Sequence, residues 1–163
     1  MSWSQDIRGE LRSILLRVPS LPAVAWEGRD FVPVHPLVGT PWLVDGTTPL
    51  SFTMLGRWAG ICQTKSDEIS ARVDSRPAGA PPQSPEEVAA DNAEYLAVAV
   101  RRWTLTHLDG QPYPYTAENA RKLFMDPRFA WLRPLLLGFH RNDGNFLAKP
   151  TAPSSNGPDA PSP

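Results

Sequence analysis

The chain carries a single cysteine, Cys62, in 163 residues. One thiol excludes an internal disulfide framework and leaves no cysteine pair for a zinc site. It reads as a small buried residue in a reducing compartment, the usual place of a free cysteine. Neither sign of charge is in excess: 16 Lys and Arg stand against 17 Asp and Glu, a net charge of −1. That balance gives no electrostatic footprint for nucleic acid or for a membrane surface. No window approaches the ~20 apolar residues of a membrane span. The first residues, "MSWSQDIRGELRS", spread their charges and hold no uninterrupted apolar run, so no signal peptide is expected. The expected location is cytoplasmic. His35, His107 and His140 lie far apart, with no second ligand three or four residues on. Each is expected to be structural. A phosphate-binding loop, a dinucleotide fingerprint and a nucleophile elbow are all missing. "DGQPYPY" offers too few oxygens for a calcium loop. The adjacent carboxylates Asp67–Glu68 and Glu86–Glu87 suit caps and solvated surface. The expectation is a protein that is not an enzyme and needs no cofactor and no metal.

Proline is abundant, with 19 residues against 11 glycines. Six prolines, at 19, 22, 33, 36, 41 and 49, exclude a long helix between residues 19 and 49. Short extended pieces are expected there, at Val24 to Trp26, Phe31 to Val34 and Trp42 to Val44, with a turn at Asp45–Gly46. Ahead of them, Ile7, Leu11, Ile14, Leu15 and Val18 fall on one helical face, ended by Pro19. Leu50 to Lys65 reads as the best strand region, with Gly56 as a turn or bulge. Ser66 to Arg76 fits a further strand or a helical turn.

"RPAGAPPQ", Arg76 to Gln83, is the clearest break in composition. Ser84 then caps a helix, Pro85 is its first residue, and Glu87 completes a capping box. This helix is expected to run to Trp103, with Arg101 and Arg102 at its negative end. "TLTHLDGQPYPY" reads as a connector that turns at Asp109–Gly110. Thr116 caps a second helix. Asp126 and Pro127 begin a third, which Pro134 should kink or split. The fold class is α+β. Its expected divisions are a small α+β segment over 1–75, a linker over 76–83, a helical domain over 84–148 and a disordered tail over 149–163. Large aromatics are enriched at interfaces. Tyr95, Trp103, Tyr113, Tyr115 and Trp131 are therefore the candidate partner-binding residues.

The stretch from Ala90 to Leu147 resembles the tail assembly chaperones of long-tailed phages and prophages. The similarity lies in Val100 and Trp103 at a helix end, Asp109–Gly110 with Pro112 in a loop, Tyr115 to Asn119 at a helix start, and Asn145 to Leu147 at the end of the last helix. The Ala/Pro/Ser tail is similar to the end of the short form of such proteins, where a programmed frameshift makes a longer product. Residues 7–64 bear a weaker likeness to tail terminator or tail completion proteins, in an N-terminal helix, "WE" with "F.P", and "GTPWL". The first resemblance implies a chaperone that coats the tape-measure protein, recruits major tail tube subunits, and leaves as they polymerise. The second implies a ring-forming structural protein of the virion. A host-side protein-binding module is the remaining reading.

Overall fold

The computed structural model describes residues 28–146. The helix expected over residues 7–18, the extended piece Val24 to Trp26 and the tail over 149–163 lie outside the described residues. The architecture is α+β. In chain order come strands β1 (Arg29–Phe31) and β2 (Phe52–Met54), helices α1 (Gly60–Asp74) and α2 (Pro85–Ala99), and strand β3 (Val100–Trp103). A small hairpin of β4 (His107–Leu108) and β5 (Gln111–Pro112) follows, then α3 (Ala117–Met125) and α4 (Leu132–Arg141). Single 3-10 turns at Pro127–Phe129 and Asp143–Asn145 flank α4.

β2 is the central strand of an antiparallel sheet in the order β1-β2-β3. Phe52 lies opposite both Phe31 and Trp103, and a bulge at Thr53/Met54 shifts the register beside Val100. α2 is the pillar of the molecule, packed against α1, α3 and α4. Its Ala93, Leu96, Ala97 and Ala99 enter a core with Phe52, Met54, Leu123, Phe124, Leu132 and Leu136. Residues 76–83, expected as a linker, form an irregular crossing between α1 and α2. They join two parts that share one sheet and one core.

The helix starts follow their caps. The Ser84 hydroxyl accepts from the Glu87 N–H at 3.2 Å, and the Glu87 carboxylate accepts from the Ser84 N–H at 2.7 Å. This is the expected capping box, with Pro85 at the first helical position. Ser84→Ala removes half of it and should cost about 1 kcal/mol in a denaturant titration, while Ser84→Thr should cost far less. Thr116 caps α3 by accepting from the Asn119 N–H at 3.0 Å. Asp126 caps the turn that begins at Pro127.

Several expectations are corrected or refined. Leu50 to Lys65 is a strand only at Phe52–Met54, and the chain is helical from Gly60. Gly56 is neither a hairpin turn nor a bulge between two strands. It lets the backbone pass beneath the Phe146 ring, where a Cβ would sit 3.0 Å from Cγ. Ser66 to Asp74 continues that helix: Cys62, Ile69 and Val73 share its inner face, a helical rather than an alternating period. The α2 helix stops at Ala99 rather than Trp103. Val100 is β-branched and buried, Arg101 and Arg102 face solvent, and pairing with β2 outweighs four further helical residues. Finally, the expected third helix is split just ahead of Pro134, into the 3-10 turn Pro127–Phe129 and α4 from Leu132, and Pro134 does not kink α4. It is the third residue of α4, within the first turn, where its missing N–H has no helical partner to lose.

The connector behaves as its sequence implies. Asp109 and Gly110 sit between β4 and β5 with φ of 52° and 77°. Two successive positive φ values make the tight hairpin turn that Asp-Gly favours.

Candidate functional site

The five candidate aromatics are all half-buried, and their polar tips are turned inward. The Trp103 ring stacks on Tyr113, with centroids 5.8 Å apart, and meets Tyr115 and Phe52 edge-on. Its Nε1–H donates to the Tyr113 carbonyl at 3.2 Å. The Tyr113 hydroxyl donates to the Asn119 carbonyl at 2.9 Å. The Tyr115 hydroxyl donates to the carbonyl of Ala97 at 2.9 Å and also contacts that of Val100. The Ala97 carbonyl lies in the last turn of α2 and the Val100 carbonyl just past its end, where a helix that stops needs donors. Trp103, Tyr113 and Tyr115 therefore form one clip that fixes the connector to the end of α2.

Trp131 lies in a second cluster, parallel to Trp42 at 6.3 Å and edge-on to His35 at 4.8 Å. Trp42 also packs on Phe129. These contacts seat a proline-rich arm, residues 33–49, on the 3-10 turn ahead of α4. Two isolated bridges, Val34 with Pro41 and Leu43 with Pro49, close the arm into a rigid double loop. The Asp45 carboxylate tightens the second loop by accepting from the backbone of Thr48 and Thr47. Those donors hold its carboxyl well below the usual carboxylate range.

The arm is the most apolar exposed stretch among the described residues. From Val32 to Val44 there is no charged side chain. Leu37 is 90% exposed and Val38 68%, with Val32, Val34, Trp42 and Leu43 at 40–45%. Backbone bonds from Val38 and Gly39 to the His35 carbonyl, and from His35 to Thr40, hold this tip in shape. Prolines at 33, 36 and 41 remove N–H groups that a docking strand could use.

Tyr95 belongs to a third group. Its hydroxyl is 2.6 Å from His140 Nε2, and His140 Nδ1 is 2.8 Å from the Leu55 carbonyl. The carbonyl can only accept, so Nδ1 carries the proton and Nε2 accepts from Tyr95. His140 is 1% exposed, more deeply placed than a surface histidine. Burial pushes its pKa down and raises that of Tyr95 to about 12. Cys62 is fully buried, as expected, and burial pushes its thiol up to about 11. A thiol so placed is not a nucleophile at neutral pH. Beside Tyr95 and His140 opens a groove of about 650 Å³ between α1, α2 and α4, lined also by Trp58 and Arg141. Its walls are mixed: Gln63, Ser66 and Asn92 are polar, and Leu137 is apolar.

Among the described residues, no group of three or more His, Cys, Asp or Glu side chains is placed to hold a metal ion. No described helix is long and apolar enough to cross a membrane. Comparison with protein-family models, curated proteins and solved structures finds no match.

Two surface features were not singled out from sequence. The tip Leu37–Val38 was hidden because proline-rich runs read as connecting chain. The ion-pair seam between α1 and α2 was hidden because the strand expectation for residues 50–65 removed α1. Once α1 is a helix, Lys65, Arg72 and Arg76 fall at spacings that face Glu94, Asp91 and Glu87.

Proposed function

We propose that this chain is a tail assembly chaperone of a long-tailed phage or prophage. It binds the tape-measure protein in the host cytoplasm, recruits major tail tube subunits, and performs no chemistry. The motif similarity over residues 90–147 supplies the identity of the partners. The physical observation that carries the reading is the arm: an uncharged, proline-stiffened apolar surface held on an otherwise charged molecule. A chaperone for long amphipathic helices needs such a surface, because its clients expose apolar faces until the tube encloses them. A rigid tip loses little conformational entropy on binding, yet a small one gives a reversible contact.

Co-expression tests this reading. The tape-measure protein of the same genome should remain in the soluble fraction with this chain and precipitate without it. Leu37→Asp combined with Val38→Asp should abolish the rescue while leaving the melting temperature near that of the parent, because both side chains are exposed. Equal solubility with and without the chain contradicts the proposal.

A further inference from the structure

A second cavity, of about 260 Å³, lies between the arm, the hairpin and α3. Trp42 and Val44 of the arm form one wall. Leu105, just ahead of β4, and Leu108 within it form another. Leu123 of α3 and Phe129 of the 3-10 turn complete it. Leu105, Leu123 and Phe129 are buried members of the core, so the cavity reaches down to that core. Its polar lining is His107, Asp109 and Arg128. Arg128 gives both arms of its guanidinium to Asp109 at 2.8 Å and is shared with Asp126. The charged groups are thus spent on one another, and little is left inside for a polar ligand or for ordered water. The space suits a bulky apolar group, since a dry cavity of about 150 Å³ already holds benzene.

We infer that this cavity is a socket for one leucine- or phenylalanine-sized side chain, carried on an amphipathic partner helix with basic residues beside that anchor. The apolar floor sets the chemistry of the anchor. The mouth sets that of its neighbours. Asp109 and Asp126 share the one Arg128, and Asp45 follows the wall residue Val44. Three carboxylates against one guanidinium disfavour an acidic flank and favour Lys or Arg there. The socket is also continuous with the arm. Trp42 is one of its walls, packs on Phe129 with centroids 5.3 Å apart, and is still 40% exposed in the apolar strip that includes Leu37. One helix can therefore seat a side chain in the socket and lay others along the arm, the spaced-anchor mode of helix recognition. Binding is then concentrated in a single pocketed anchor. The inference deepens the client-binding reading and rests on it only for the identity of the partner.

Methyl NMR on the full chain tests the socket without the client. N-acetyl-phenylalaninamide should shift the methyl signals of Leu105, Leu108 and Leu123 in a saturable way, and N-acetyl-glutaminamide should not. Val44→Phe and Leu108→Phe fill the cavity from two different walls. Whichever of them keeps the melting temperature of the parent should lose at least roughly tenfold in affinity for the phenylalanine probe. A helical peptide with a central phenylalanine flanked by Lys should bind roughly tenfold more tightly at low salt than the same peptide flanked by Glu. In the co-expression assay, a folded filled variant should lose the rescue. A filled variant that rescues as well as the parent overturns the socket and leaves the client reading standing. A parent that fails to rescue but binds the phenylalanine probe overturns the client reading and keeps the socket. Absent methyl shifts, shifts that a folded filled variant retains, or equal binding of the Lys- and Glu-flanked peptides overturns the proposal.

Discussion

Trp103→Ala should lower the stability of the chain by roughly 3–5 kcal/mol, the range for deleting a large aromatic from packed surroundings. The residue touches three structural units at once. It lies opposite Phe52 in the sheet, stacks on Tyr113 in the connector, and meets Tyr115, whose hydroxyl serves the end of α2. Truncation opens a void beside Phe52 and removes the donor to the Tyr113 carbonyl. Asp109→Ala should cost much less, although Asp109 forms a two-pronged ion pair with Arg128 at 2.8 Å. That pair is solvent-exposed, and such pairs contribute little. Asp109→Gly should be the milder of the two Asp109 changes, because the position has positive φ. Thermal melts that rank Asp109→Ala above Trp103→Ala would contradict the clip.

His140→Gln should cost about 2–4 kcal/mol, because the shape of the ring is lost and the Tyr95 hydroxyl and Leu55 carbonyl compete for a misplaced partner. It should also remove a pH dependence. The folded pKa of His140 lies below the ordinary value, chiefly through burial. Arg57 and Arg141 push it further down, and the Leu55 carbonyl and Asp143 oppose them. The unfolded state therefore binds the proton first as pH falls. Stability is full above the unfolded histidine value of about 6.5 and declines as pH drops from there through the folded pKa. The carboxylates of Asp109 and Asp126, held low by Arg128, lose their contribution only at more acidic pH. Denaturant midpoints measured between about pH 7.5 and about pH 5.5 should fall in the parent and stay flatter in His140→Gln. A parent midpoint that rises on acidification would contradict the buried neutral histidine.

Local chemistry was the most legible part of the sequence. Ser84, Pro85 and Glu87 marked the start of α2, Thr116 that of α3, and Asp109–Gly110 the hairpin turn, because each signal acts within four residues. Non-local effects were not legible. Val100 to Trp103 continue a helical pattern, and only the neighbouring β2 strand converts them to sheet. The α1 helix has a weak apolar face, since half of its seam is ionic, and apolar periodicity is blind to ion pairs. The five aromatics were legible as important; Trp103, Tyr113 and Tyr115 spend their hydrogen-bonding groups inside the molecule, and the exposed apolar surface lies on the arm around Leu37.

A chaperone that leaves and a ring that stays make opposite demands on the same chain. Copy number in the finished particle separates the two roles. Quantitative mass spectrometry of infected-cell lysate and of purified particles is the most direct test of the assembly role. The chain is expected to co-purify with the tape-measure protein from lysate and to be missing from finished particles. A fixed, stoichiometric number of copies in every purified tail would contradict it and assign the chain to the virion.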